Sequence, residues 1–439
     1  MPPASPSPYA RTVAAGYKAA LYCSGIFNAG RSEAQIDADE LRGIYAQYDA
    51  IVPTLTAKVE RSRATVTVAF DDALPPRRAI WAEGKGCTTL PIGAVSPPVA
   101  TSYRTPPGPA GADPRPWPIG DAGIAPKPGK ALAVTVGTAF DRTTYGKESE
   151  TLGVVVVKDG RIVAERYRDG FGPFVSNRTW SVAKSLAGAM IGAAQHRGMI
   201  DVAKPVRIPE WGSFPYADAR ATITTDQLLR MASGLHSDTA GNRTDALYFG
   251  GASVTEQAGG WPLIATPGTR YRYANNDTVL AIRGLRATMA DDRAYAAFVP
   301  ALFAKLGMNH TVAETDWRGN YVLSSQVWST ARDLARFGLF LAADGVWNGE
   351  RILPDGWVAA SITPGGPQPP TGPGYGRTLW LFGPAQGLPA GSYAAQGNRG
   401  QYVMVIPAAK LVIVRRGEDP GPARFDIAKF AADIAAAAR

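Results

Sequence analysis

Histidine is scarce in this chain, with three residues in 439, at positions 196, 236 and 310. No spacing among them suits a metal ion, and the two cysteines do not make a zinc site, so no metal centre is expected. Nothing in the residue order sets a histidine beside a serine and an aspartate, so a Ser-His-Asp triad is not indicated. The Gly-x-Ser-x-Gly elbow is missing as well, which argues against an α/β-hydrolase. No apolar run approaches the ~20 residues that span a bilayer, so no membrane span is expected. Net charge is +9, yet like charges do not form blocks and no aromatic-basic interleaving occurs. A nucleic-acid partner is therefore not predicted, and the charge implies at most a weak preference for anionic surfaces. The opening residues Met1-Pro2-Pro3-Ala4-Ser5-Pro6-Ser7-Pro8 hold neither the basic segment nor the apolar core of a signal peptide. A trimmed exported protein would read the same way, so a periplasmic or secreted location is the expectation and a cytoplasmic one stays open. Cys23 and Cys87 allow one bridge, and Ser24-Gly25 and Gly86 would let the backbone turn there. A disulfide would fit export; two free buried thiols are the other reading.

What is present is ample apolar material. The chain is 45% hydrophobic and 19% charged, enough for a large core and two or three domain-sized units. Residues 1–100 read as a small accessory segment, with helices at Tyr9–Tyr22 and Ser32–Tyr48 and alternating strands at 64–70 and 78–82. It carries no evident chemistry, and packing against the rest of the chain is its expected role. Residues 101–130 are rich in proline and glycine and read as an extended connector. The main domain, 131–439, has strands on either side of Asp159-Gly160, a hairpin signal. A mostly helical region covers about 181–325, with Thr225 expected to cap a helix and 238–260 expected to be an irregular loop over the site. Strands flank Pro407, and a last helix covers 425–437. The pattern fits an α/β (α+β) fold, a mainly antiparallel sheet built from both ends of the domain with a helical insertion between.

The chemistry concentrates in Thr179-Trp180-Ser181-Val182-Ala183-Lys184. Ser181 and Lys184 are three positions apart and share one face of a helix. Serine is a poor nucleophile at neutral pH unless a base takes its proton, and lysine serves as that base only when burial or nearby positive charge lowers its pKa. The residues that follow, Leu186 to Ala194, are small or apolar on every side, the mark of a helix buried all round with both reactive groups at its N-terminal end. A chain of this length holds about one Ser-x-x-Lys by chance, so that context carries the reading. Lys184 is the one lysine with serine three residues before it. Further on stands the one Tyr-x-Asn, Tyr273-Ala274-Asn275. A phenol near a lysine can share a proton relay, and an amide two residues on can bind a substrate carbonyl or the lysine.

With these motifs in that order, residues from about 131 onward resemble the serine β-lactamases and penicillin-binding-protein-like hydrolases. The likeness is to the class C branch, with its carboxylesterases, D-amino-acid peptidases and 6-aminohexanoate-dimer hydrolases. The resemblance implies a β-lactamase-like fold, Ser181 as acylated nucleophile, Lys184 as its base, Tyr273 as partner in proton transfer and Asn275 as a substrate-orienting amide. It implies a small ester or amide substrate and no cofactor. The family's third motif, usually Lys-Thr-Gly or His-Thr-Gly on a late strand, is best matched by Asn398-Arg399-Gly400. No lysine stands there, and an arginine fork is not equivalent to an ammonium, which argues against efficient β-lactam turnover. By the same resemblance the backbone N–H groups of Ser181 and Gln401 would form the oxyanion hole. Trp180, Tyr375 and Trp380 are candidate pocket walls, and His236 is a candidate cleft residue. A cell-wall D-peptidase, a β-lactamase and a non-catalytic penicillin-binding-like sensor are the alternatives; oligomeric state has no signal in the sequence.

Overall fold

The computed structural model describes residues 6–43, 45–96, 111–213, 218–236 and 244–438. The N-terminal segment begins with a long helix, α1 (Pro8–Phe27), capped by the Ser7 hydroxyl. Two short helices follow, α2 (Glu33–Asp39) and α3 (Ala46–Asp49). The single helix expected over 32–48 is therefore broken, and Gly43, at φ 66°, lies in the interruption. Strands β1 (Ala57–Glu60), β2 (Thr65–Val68), β3 (Arg77–Ala82) and β4 (Gly86–Thr89) form an antiparallel meander. Cys23 on α1 and Cys87 on β4 are joined by a disulfide.

Of the expected connector, 101–110 lies outside the described residues. Residues 111–129 run along a helix of the main domain, whose Arg336 donates to the carbonyls of Pro118 and Gly120 and to Asp121. The main domain continues with α4 (Lys130–Thr138), the hairpin β5 (Thr151–Lys158) and β6 (Arg161–Tyr167), β7 (Asn177–Arg178) and α5 (Val182–His196). Then come α6 (Thr225–Leu229), α7 (Asp245–Tyr248), α8 (Val254–Gln257), α9 (Asn275–Arg286) and α10 (Asp292–Lys305). Thr224, not Thr225, caps α6, through a reciprocal pair of bonds with Gln227. The loop expected over 238–260 is outside the described residues up to 243, and beyond that it forms α7 and α8 rather than irregular chain.

Strands β8 (Val312–Ala313) and β9 (Val327–Ser329) lead into α11 (Ala331–Ala342). After a small hairpin of β10 (Val346–Trp347) and β11 (Glu350–Arg351), α12 (Trp357–Ser361) leads into β12 (Gly374–Tyr375). The strands β13 (Trp380–Phe382), β14 (Ser392–Gly397), β15 (Gln401–Ile406) and β16 (Leu411–Gly417) and helix α13 (Ile427–Ala437) complete the chain. The large sheet has the order β12-β13-β14-β15-β16-β5-β6, every described neighbour antiparallel. Early strands thus sit against the last ones, which closes the domain. Val155 and Val157 face one apolar core, with α5 and α11, while Val154 and Val156 face another, with α4 and α13. That alternation is what a strand buried on both faces requires.

The disulfide closes a sequence separation of 64 residues. Replacing both cysteines by alanine should lower the unfolding free energy by roughly 2–4 kcal/mol in denaturant titration, because the open unfolded chain regains loop entropy. An unchanged midpoint would show that the bridge adds nothing to the segment's stability.

Candidate active site

Ser181 is placed by the strand before it. The Thr179 N–H donates to the Val327 carbonyl at 2.8 Å, continuing the pairing of β7 with β9. Trp180 then takes a left-handed conformation, φ 49°, which costs about 1–3 kcal/mol for a bulky side chain and persists only where the surroundings enforce it. The turn delivers Ser181 as the residue that caps α5. Every α5 residue from Val182 to Ala194 is buried, so Lys184, one turn in, is sealed inside the protein at 1% exposure.

The Lys184 amine lies 3.0 Å from Ser181 Oγ, 2.6 Å from Asn275 Oδ1 and 2.8 Å from the Ser324 carbonyl. The two carbonyl oxygens can only accept. A neutral amine has two N–H bonds to give them and one lone pair left, which faces the Ser181 hydroxyl. Burial, and after it the charge of Arg178, lowers the Lys184 pKa from its usual 10.5 to about 7. Arg178 is itself fully buried, stacks 3.8 Å over the Trp180 ring and donates to Ser325 Oγ at 2.8 Å. Two carboxyls feel its charge, Asp245 and Glu314, and burial raises them to about 6 and about 7.

Tyr273 precedes α9. Burial raises the pKa of its phenol and keeps it protonated, with the Ser181 hydroxyl acting against that shift, and its ring centroid lies 5.1 Å from the Lys184 amine. Asn275 gives its oxygen to Lys184 and its Nδ2 to Thr244 Oγ1 at 3.1 Å. The oxygen of that amide thus holds the lysine, while its nitrogen is tied to Thr244.

Ser181, Tyr273 and Asn275 open into a cleft of about 400 Å³, which Trp180, Trp380, Asn398, Arg399 and Gly400 also line. The other expected site residues lie elsewhere. Tyr375 is buried behind the wall, with its ring 5.8 Å from Tyr273 and 4.9 Å from Trp380. His236 does not line the cleft; its backbone N–H donates to the Pro262 carbonyl at 2.8 Å. Gln401 does not line it either. It pairs opposite Gly397 across the β14–β15 hairpin, and its buried side chain bonds to the Gly417 carbonyl and to Arg416. Arg399 reaches the cleft, but its guanidinium turns away from it. That group donates to the carbonyls of Asp39 and Glu418 and pairs with the Glu418 carboxylate at 3.1 Å.

The sequence profile of the β-lactamase family matches residues 140–438. The chain belongs to the β-lactamase family. By that membership it is a hydrolase, of the serine type. It is 29% identical over 310 residues to the 6-aminohexanoate-dimer hydrolase of Paenarthrobacter ureafaciens, a stretch covering 63% of this chain and 74% of the relative. Among solved structures it shares its fold with a β-lactamase/D-alanine carboxypeptidase from Pseudomonas syringae (TM-score 0.54, 16% identity, 70% of this chain and 99% of that one). It shares it too with an octameric penicillin-binding protein homologue from Pyrococcus abyssi (TM-score 0.53, 17% identity, 70% and 76%).

Within this β-lactamase-family site, several residues escaped the sequence reading. The close approach of strand to serine occurs at Gly397, three positions before Gly400. A Cβ on Gly397 would lie 3.0 Å from the Ser181 nitrogen and 2.4 Å from the Thr179 carbonyl oxygen. Gly400, the glycine named with Arg399 in the motif, also lines the cleft. Tyr248, Ser325, Tyr402 and Arg424 also line the cleft, as does Tyr45 from the N-terminal segment. That segment was expected to pack and nothing more. Arg178 had no motif to mark it.

Two outcomes follow from this geometry. Gly397→Ala should keep the fold yet cut kcat/KM by about 100-fold or more, since the methyl must displace the Ser181 backbone and an error near 1 Å costs that much; near-normal kinetics would show that the contact is slack. Because protonated Lys184 cannot accept a proton, kcat/KM should rise with pH along a limb with its midpoint at about 7. A profile flat from about pH 5 to 9 would show that a neutral amine is not required.

Proposed function

We propose that the protein hydrolyses small carboxylic esters or amides through an acyl-enzyme on Ser181. The observation that carries this is the buried Lys184 amine, 3.0 Å from Ser181 Oγ and held by the Asn275 and Ser324 carbonyl oxygens at 2.6 and 2.8 Å. In the forward step Lys184 takes the hydroxyl proton as Ser181 Oγ attacks the substrate carbonyl. The negative charge then borne by the carbonyl oxygen is met by backbone N–H groups at the head of α5 and along the strand edge at Gly397. Tyr273, which shares the cleft with Ser181 and lies beside Lys184, passes the proton to the departing alcohol or amine. Water enters the vacated space, gives up a proton by the same route and releases the acid.

The substrate class rests on two supports. One is the likeness to a 6-aminohexanoate-dimer hydrolase, which favours linear oligoamides of short amino acids beside simple esters. The other is Arg399, whose bonds to Asp39 and Glu418 leave it unfit to grip the carboxylate of a β-lactam. The Cys23–Cys87 bridge supports a location outside the reducing cytoplasm.

Ser181→Ala should lower turnover by at least about 1,000-fold and abolish covalent labelling by a fluorophosphonate, with circular dichroism unchanged. Full activity in that variant would refute the nucleophile. A panel of p-nitrophenyl esters, aminohexanoate oligomers, nitrocefin and a D-alanyl-D-alanine peptide then ranks the substrate classes. A preference for nitrocefin or the peptide would replace the ester or amide reading with a β-lactamase or cell-wall peptidase.

A further inference from the structure

We infer that the N-terminal segment completes the active-site cleft, and that Tyr45 is a specificity-determining wall which reads the apolar part of the substrate. The inference rests on the cleft around Ser181 being the acyl-transfer site proposed above.

Residue 45 lies well before the part of the chain that matches the family, 140–438. Even so, its ring lines the same cleft as Ser181, Tyr273 and Trp380. It is also held firmly. Tyr17 and Phe249 meet it edge-on at 5.3 and 5.6 Å, Tyr48 lies tilted to it at 5.9 Å, and Trp180 of the cleft wall stands 6.4 Å away. The rings around it are fixed in turn, Tyr17 by its hydroxyl to the Glu40 carbonyl and Tyr48 by its hydroxyl to Asp245 at 2.9 Å. The chain just before Tyr45 is clamped by charge. Arg31 pairs with Asp39 and Glu40, each at 2.6 Å, Arg168 pairs with Asp39 at 2.8 Å, and Arg399 donates to the Asp39 carbonyl. Tyr45 therefore cannot swing aside without repacking an aromatic cluster, and its free face belongs to the cleft. An aromatic face fixed in this way offers contact area at little entropy cost to an alkyl chain or aryl ring.

The test compares p-nitrophenyl acetate with p-nitrophenyl hexanoate on the full chain. In Tyr45→Ala the ratio of kcat/KM for hexanoate over acetate should fall about tenfold or more, the scale at which a pocket discriminates by apolar contact. Tyr45→Phe should restore the ratio, because the ring face rather than the hydroxyl makes the contact. An equal fall on both esters would reduce Tyr45 to a packing residue and overturn the inference, and an unchanged ratio would overturn it too. Should Tyr45→Ala fail to fold, Tyr45→Leu fills the space without an aromatic face and is read in the same way. Labelling of Ser181 by diisopropyl fluorophosphate is followed in parallel. A flat ester ratio in a protein that labels normally sinks the role of Tyr45 alone, whereas a wild-type protein that does not label at Ser181 sinks the acyl-transfer reading with it.

Discussion

A lysine amine sealed at the head of an apolar helix is the constraint on which the rest of this structure turns. In the unfolded chain Lys184 is charged below about pH 10. In the fold it is charged only below about 7. Between those values folding expels a proton, so stability rises with pH across that window. Below it the fold carries a buried cation. The residue is thus a standing cost to the fold, tolerated because three oxygens surround the amine, and the same burial gives it the lowered pKa that the proposed role as base requires. Trp180, held left-handed one residue before Ser181, is a second cost at the same place. Strain gathered around one pair of side chains is what a site built for chemistry looks like.

Buried arginines hold that arrangement in place. Arg178 lies under Trp180 and lowers the lysine. Arg416 donates to Gln401 and to the carbonyls of Ser329 and Asn177, tying the end of the large sheet to β7 and β9. Arg415 makes a paired contact with Asp419 and reaches the Gly400 carbonyl. Arg399 carries the network into the N-terminal segment. A guanidinium suits this work because its planar fork meets several carbonyls at once and is weakly hydrated for a cation. The floor of the cleft is therefore set by side chains that face away from substrate.

The contact of Ser181 with Lys184 was legible in the sequence because it is local. Ser181 and Lys184 are fixed by helical spacing, and the run of small residues after them declared the burial. Tyr273 and Asn275 were legible for a different reason, as a rare tripeptide in a recognisable order. The large sheet could be read from the strand-like apolar runs on either side of Asp159-Gly160 and of Pro407. What could not be read depends on residues far apart in the chain. Gly397 and Gly400 look alike until Thr179 and Ser181 are laid beside one of them. Arg399 looked free because Asp39 and Glu418 lie 360 and 19 residues away. Gln401, whose side chain is held by Gly417 and Arg416, is hard to place for the same reason, since hairpin register decides which residue faces the serine. Tyr45 was invisible because nothing in residues 1–100 announces that the segment folds back to the cleft.

These distant contacts also bear on what the cleft selects. A lysine or histidine in the third motif would be a flexible cation or donor facing substrate. Here the arginine at that place is consumed by Asp39 and Glu418, and the same contact draws the N-terminal segment against the cleft. One change in role therefore has two effects. It removes a group that would grip a carboxylate beside the scissile bond, and it helps bring an aromatic wall to the cleft. On the function proposed here, that moves the balance from charge recognition toward apolar contact, as in an enzyme whose substrates are distinguished by the length and shape of a carbon chain.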